Sequence, residues 1–171
     1  MVFRKAKTGD LKAVAAVYDA VHTAEEAGRG CTGWVRGVYP TAETAQTALG
    51  HGELFVAEEG GAVVAAAIIN REQPDAYRKG TWSVDADEVT VLHTLAVDPA
   101  FAGRGCGTGF VRFYEAFALA SGCRYLRLDT QVKNRPARSL YVGLGYREIG
   151  VVPCTFNGIE GVELVLMEKT L

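Results

Sequence analysis

His93-Thr-Leu95-Ala96-Val97-Asp-Pro99-Ala-Phe-Ala102-Gly103-Arg104-Gly105-Cys106-Gly107-Thr108-Gly109 runs from an apolar, β-favouring segment through a proline into a glycine cluster, and a helically patterned segment follows it. Glycines at 103, 105, 107 and 109 let the backbone turn tightly and approach a ligand closely. The first turn of the next helix offers unpaired N–H groups at the positive end of its dipole. Together these suit a phosphate or pyrophosphate. Two familiar phosphate loops do not match. GxxxxGK(S/T) fails because no lysine lies between Gly80 and Lys133, and GxGxxG fails because Phe110 stands where the third glycine belongs.

Outward from this stretch, Val2 to Ala6 reads as a short strand, and Thr8-Gly9-Asp10 supplies cap chemistry for a helix bearing Leu11, Val14, Val17, Tyr18 and Val21. That helix ends by Gly28. A glycine-rich loop to Gly33 precedes a capped helix from Thr41 to Leu49. Glu53 to Glu58 and Ala62 to Asn70 form strands joined at Glu59-Gly60-Gly61, a hairpin signal. Asn70 to Asp87 is polar and irregular. Val89 to Val97, Gly105 to Ser121, Arg124 to Thr130 and Pro136 to Leu144 then read as strand, helix, strand and short helix. The tail from Tyr146 to Lys169 adds two strands flanking Pro153 and Asn157-Gly158. Early hairpins with a late strand-helix-strand crossover predict an α/β fold: a mixed central sheet of six or seven strands with helices on both faces.

The glycine stretch resembles the acetyl-CoA signature of the GCN5-related N-acetyltransferase (GNAT) superfamily, Arg/Gln-x-x-Gly-x-Gly/Ala after a strand ending Leu-x-Val and a proline. In the matching register Gly105 and Gly107 hold the glycine positions, and Ala102 replaces the leading Arg or Gln. A second stretch, Asn134 to Tyr146, resembles the family's Asn-x-x-Ala-x-x-Leu-Tyr-x-x-x-Gly-Phe/Tyr, with Asn134, Ala137, Leu140, Tyr141, Gly145 and Tyr146 in every named position. The resemblance implies the GNAT fold over one domain, residues 1–171, with strands Val89 to Val97 and Arg124 to Thr130 diverging around the pantetheine arm. It implies pantetheine contacts at the backbone of Leu95, Ala96 and Val97. A pyrophosphate cradle would come from the N–H groups of Arg104, Gly105, Cys106, Gly107, Thr108 and Gly109, with the Arg104 side chain adding a phosphate contact.

Acyl transfer from a thioester to an amine needs an oriented donor, a deprotonated amine, a stabilised oxyanion and a proton for the departing thiolate. By resemblance Tyr141 is the general acid; a tyrosine near pKa ~10 is a donor at neutral pH. A packed aromatic is the alternative. Asn134 is either a cofactor contact or simply the cap before a helical proline. For the base, His93 resembles a histidine that arylalkylamine-type members place on this strand, and Glu88 at the strand's other end is the competitor. No dedicated base is the third possibility. Cys106 and Cys123 read as small packing residues, since no histidine pairs with them locally.

The chain has 171 residues, 49% of them hydrophobic, and a net charge of −2 from 18 basic and 20 acidic residues. With no basic run, nothing marks a nucleic-acid partner or an anionic membrane. The longest apolar run, Ala62 to Ile69, is far below the ~20 residues of a spanning helix. Four cysteines without zinc spacing, and an N-terminus without an apolar leader, predict a cytoplasmic protein with reduced thiols and no metal. The expectation is an N-acetyltransferase that moves acetyl from acetyl-CoA to a primary amine of a small molecule or amino-acid derivative. The acceptor pocket would draw on Gly28 to Tyr39, Asn70 to Trp82 and Pro153 to Gly158, with Trp34, Tyr39, Tyr77, Trp82 and Phe156 as aromatic surface. Glu72, Asp75 and Asp85 are acidic groups that would attract a cationic acceptor or simply face solvent. A non-catalytic acyl-CoA sensor is the rival class, a nucleotide-binding oxidoreductase a distant third, and a homodimer through the late strands is compatible.

Overall fold

The alternation in Leu54-Phe-Val-Ala sets the layering. In the computed structural model, which describes residues 1–84 and 88–171, Phe55 and Ala57 pack on one face of the sheet and Leu54 and Val56 on the other. The elements are β1 (Val2–Lys5), α1 (Leu11–Glu26), α2 (Ala42–Gly50), β2 (Leu54–Glu59), β3 (Ala62–Asn70), β4 (Val89–Val97), α3 (Cys106–Ala120), β5 (Tyr125–Gln131), α4 (Arg135–Gly143), β6 (Arg147–Phe156) and β7 (Ile159–Thr170). They build a seven-stranded mixed sheet in the order β1-β2-β3-β4-β5-β7-β6. Val14, Val17 and Tyr18 of α1 and Ala45 and Ala48 of α2 cover one face; Phe110, Val111 and Tyr114 of α3, with Tyr141 of α4, cover the other. This is the expected mixed sheet with helices on both faces.

Local chemistry explains most boundaries. Thr41 caps α2 by accepting the Thr44 N–H. Asp10 differs from expectation: Thr8–Asp10 form a 3-10 turn, and the Asp10 carboxylate accepts the Lys7 N–H and pairs with Arg4 rather than capping α1. At the end of α4, Tyr146 N–H donates to Tyr141 C=O and Gly145 N–H to Val142 C=O, both at 3.0 Å, with Gly145 at φ +88°. That Schellman closure brings the Tyr141 and Tyr146 rings edge to face at 6.0 Å. Pro153 lies inside β6, where an edge strand tolerates a missing N–H; the turn falls at Asn157-Gly158.

Two irregularities of β4 create the cleft. β4 and β5 are the parallel pair, but their pairing stops at Leu92 opposite Leu128, although β4 continues to Val97 and β5 to Gln131. The strands therefore part. On its other edge β4 carries one extra residue against β3, between the pairs Ala96–Ala66 and His93–Ile68, and Thr94 there takes φ +52°. A β-branched residue in the left-handed region marks a bulge held by its surroundings.

Candidate active site

Between the parted strands lies a cavity of about 400 Å³. Leu95, Ala96 and Val97 line one wall, and Asp129, Thr130 and Gln131 the other; Asn134, Leu140 and Tyr141 of the α4 segment join them. Beyond Leu92 the β4 edge that faced β5 has no strand partner among the described residues, so its amides and carbonyls are open to a ligand.

The loop after β4 follows from its composition. Asp98 caps a turn of Pro99–Phe101 by accepting the Ala100 N–H, and Gly103 and Gly105 then take φ +75° and +79° to swing the chain into α3. Successive amides of Gly103, Arg104, Gly105, Cys106, Gly107 and Thr108 donate to no acceptor among the described residues. Six open donors at a helix N-terminus form an anion cradle. The expected cradle is corrected at its end: the Gly109 N–H makes the first helical bond, to Gly105 C=O at 2.8 Å. Gly109 instead permits packing, because a Cβ there would come 2.5 Å from Phe3 Cζ. Arg104 is exposed and lies 4.9 Å from the Phe101 ring centroid. Burial pushes the Cys106 thiol up to about 11, consistent with a packing role.

Asn134 is the helix cap that the sequence allowed. Its Oδ1 caps α4 by accepting the Ala137 N–H and also accepts the Cys31 thiol, which leaves the amide Nδ2 without a protein partner among the described residues. Tyr141 is buried, lines the cavity, and its hydroxyl donates to no described residue. Burial, and then the nearby Asp129 charge, raise its pKa, so it stays a protonated donor.

His93 lines the cavity, and burial pushes it down to about 4, so the ring is neutral near pH 7. Glu88 does not join it. That residue is exposed just before β4 and lies off the cavity, with its carbonyl accepting the Cys123 thiol. A carboxylate that the sequence reading passed over is better placed. Asp129 of β5 lines the cavity, accepts the Tyr77 hydroxyl at 2.9 Å, and is pushed by burial up to about 6, against the lowering effect of that bond. Its charge also raises Tyr39, which bonds Thr94 Oγ1 across the cavity and is pushed up mainly by burial to about 12.

Of the residues expected around an acceptor, Trp34, Tyr39 and Phe156 line the cavity, Ile159 joins them from outside the expected segments, and Asn70 to Trp82 does not line it. Tyr77 lies beneath Asp129, and Trp82 covers Tyr77 and Arg127 from outside. Asp75 is exposed beside Arg78, and Asp85 lies outside the described residues. Glu25 fixes the loop above the cavity by accepting the Thr32 N–H and hydroxyl.

These features define a mixed α/β fold with a cleft between two parted parallel strands, and sequence comparison says which family builds it. Residues 17–146 match the model of the Acetyltransferase (GNAT) family, and the chain belongs to that family. An N-acetyltransferase of Methanocaldococcus jannaschii is 36% identical over 70 residues, 41% of this chain and 31% of that protein. The N-alpha-acetyltransferase RimI of Mycobacterium tuberculosis is 38% identical over 60 residues, 35% of this chain and 36% of that protein. The match thus spans about a third of these curated relatives. A GNAT-family acetyltransferase from Streptococcus agalactiae superposes with a TM-score of 0.83 at 23% identity, covering 99% of this chain and 95% of that one. An acetyltransferase from Salmonella typhimurium, crystallised with its cofactor acetyl-CoA, gives 0.68 at 19% identity over 99% and 93%. No helix among the described residues is long and apolar enough to cross a membrane.

Proposed function

We propose that this chain transfers the acetyl group of acetyl-CoA directly to the primary amine of a small molecule or amino-acid derivative. One observation carries the reading: a single cleft, reaching Gly107 in the loop of unpaired amides 103–108, also holds a neutral tyrosine and a carboxylate poised near pH 6. Acetyl-CoA fits these residues. The amides and Arg104 would take its diphosphate, the open edge of Leu95–Val97 and the Asn134 Nδ2 its pantetheine arm, and it would supply an activated acyl group. The protein's residues do the proton work. Asp129 accepts one proton of the incoming ammonium, the freed amine attacks the carbonyl carbon, the Tyr141 hydroxyl protonates the departing sulfur as the C–S bond breaks, and the second proton of the attacking nitrogen restores the Tyr141 hydroxyl. A main-chain N–H at the β4 bulge is the oxyanion donor. A base works best with a pKa near the operating pH, which favours Asp129 over His93.

Closure over the acceptor side supports a small acceptor. A Cβ on Gly158 would lie 3.4 Å from Val38 Cγ1, so the β6–β7 hairpin meets the loop between α1 and α2 instead of leaving a groove for a polypeptide. Trp34 and Phe156 give the acceptor's body apolar surface. The test is an amine panel with acetyl-CoA, following free thiol. Thiol release with small primary amines supports the reading. Tight binding of acetyl-CoA with no release across the panel would favour a sensor.

A further inference from the structure

His93 makes bonds that its place on the cavity wall does not require. Its Nε2 lies 2.9 Å from Asn70 Oδ1 and 3.1 Å from the Glu72 carbonyl oxygen. Both partners are acceptors. A carbonyl can only accept, and the Asn70 amide is oriented from two sides: the Glu72 N–H donates to its Oδ1 at 3.0 Å, and its Nδ2 donates to Glu53 Oε2 at 3.0 Å. Nε2 must therefore carry the proton, which leaves the neutral ring's lone pair on Nδ1. That nitrogen bonds no described residue, yet it is not sealed; the Nδ1 of His22, by contrast, is buried without a partner. His93 lines the cavity, whereas Glu53 and Asn70 stand behind it.

We propose that Asn70, oriented by Glu53, is a positioning residue that commits His93 to the Nε2–H tautomer, so that Nδ1 offers a lone pair to an N–H of the acceptor amine. This rests on reading the cleft as an acetyl-transfer site. Asp129 and His93 then divide the work: the carboxylate takes the proton, and the imidazole orients the nitrogen without taking it. A primary amine brings enough N–H groups to satisfy both. The charged groups facing the ring are Glu53, just before β2, and, across the cavity, Asp129 from β5.

The substitution Asn70→Asp tests this. It keeps an acceptor at Nε2 but turns the amide that donated to Glu53 into a second carboxylate beside it, and the negative charge of that pair raises the pKa of His93 by about 1–3 units and brings it up to the acidic limb set by Asp129. The kcat/KM profile should change from a one-proton to a two-proton acidic slope, with acetyl-CoA affinity unchanged, and the second proton should vanish in Asn70→Asp/His93→Ala. A merely structural Asn70 predicts lower stability and an unchanged slope, which would overturn the proposal. Nitrogen-15 spectra of histidine in the unmodified protein need neither turnover nor a variant. A protonated Nε2 supports the proposal and a protonated Nδ1 contradicts it. Failure of every amine to release thiol would instead refute the acetyl-transfer reading, whatever the tautomer.

Discussion

Replacing Asp129 with asparagine should stabilise the protein while disabling it. The carboxyl's ordinary value is 3.8 and the folded value about 6. At ~1.4 kcal/mol per unit this is about 3 kcal/mol of folding free energy lost to holding a charge in the cleft at neutral pH. Asparagine keeps an oxygen for the Tyr77 hydroxyl but forfeits the charge-assisted strength of that bond, so the net gain is about 1–2 kcal/mol. For a chain of this size that is roughly 2–8 °C in Tm. The sign follows from the raised folded value. The penalty is absent below the unfolded pKa, grows between about 4 and 6, and is constant above, so the variant's advantage should disappear as pH falls from 6 to 4. Its kcat/KM should drop by about 10²–10⁴ and lose the acidic limb near pH 6. Thermal melts at pH 4.5 and 7.5 and a pH-rate profile supply the readings. A lower Tm at pH 7.5, or full activity, would refute the argument.

Other expectations follow from single contacts. Tyr141→Phe should lower kcat about 10²-fold or more with acetyl-CoA affinity unchanged, as measured by single-turnover kinetics and calorimetry. Gly105→Ala and Gly109→Ala should fail differently. A Cβ at 105 meets no protein atom but strains a φ of +79°, at about 1–2 kcal/mol, and intrudes where the diphosphate approaches, so affinity falls. A Cβ at 109 strikes Phe3, so stability falls by about 1–3 kcal/mol instead, visible in denaturant melts. Asn134→Ala should cost about 1 kcal/mol through the lost α4 cap and also weaken acetyl-CoA binding. For His93→Ala, the acidic limb should persist, because Asp129 sets it.

The framework was legible because local chemistry and tertiary packing agree in it. Glycines at 103 and 105, the proline at 99 and the Asn134-to-Tyr146 pattern each state a backbone requirement, and the structure meets all of them. Asp129 was not legible. Leu126-Arg-Leu-Asp-Thr130 reads as ordinary strand alternation, and only the divergence after Leu128 turns its polar face into a cavity wall. An acid directly after that leucine, in the strand preceding the Asn134 motif, was the available signal. Glu88 drew notice by lying on the right strand, but nine residues of β4 separate it from the loop. Asn70 was read only as a strand end and the start of a pocket segment, because its bonds join β3 to His93 of β4 and to Glu53 just before β2, contacts that no local pattern announces.

The most direct test of the account is amide chemical-shift mapping with coenzyme A and, separately, with pantetheine, which lacks the diphosphate. Coenzyme A should move the N–H signals of 103–108, leave that of Gly109 nearly still, and produce binding heat that pantetheine does not match. Equal shifts from both molecules, or no heat from coenzyme A, would contradict a main-chain grip on the diphosphate.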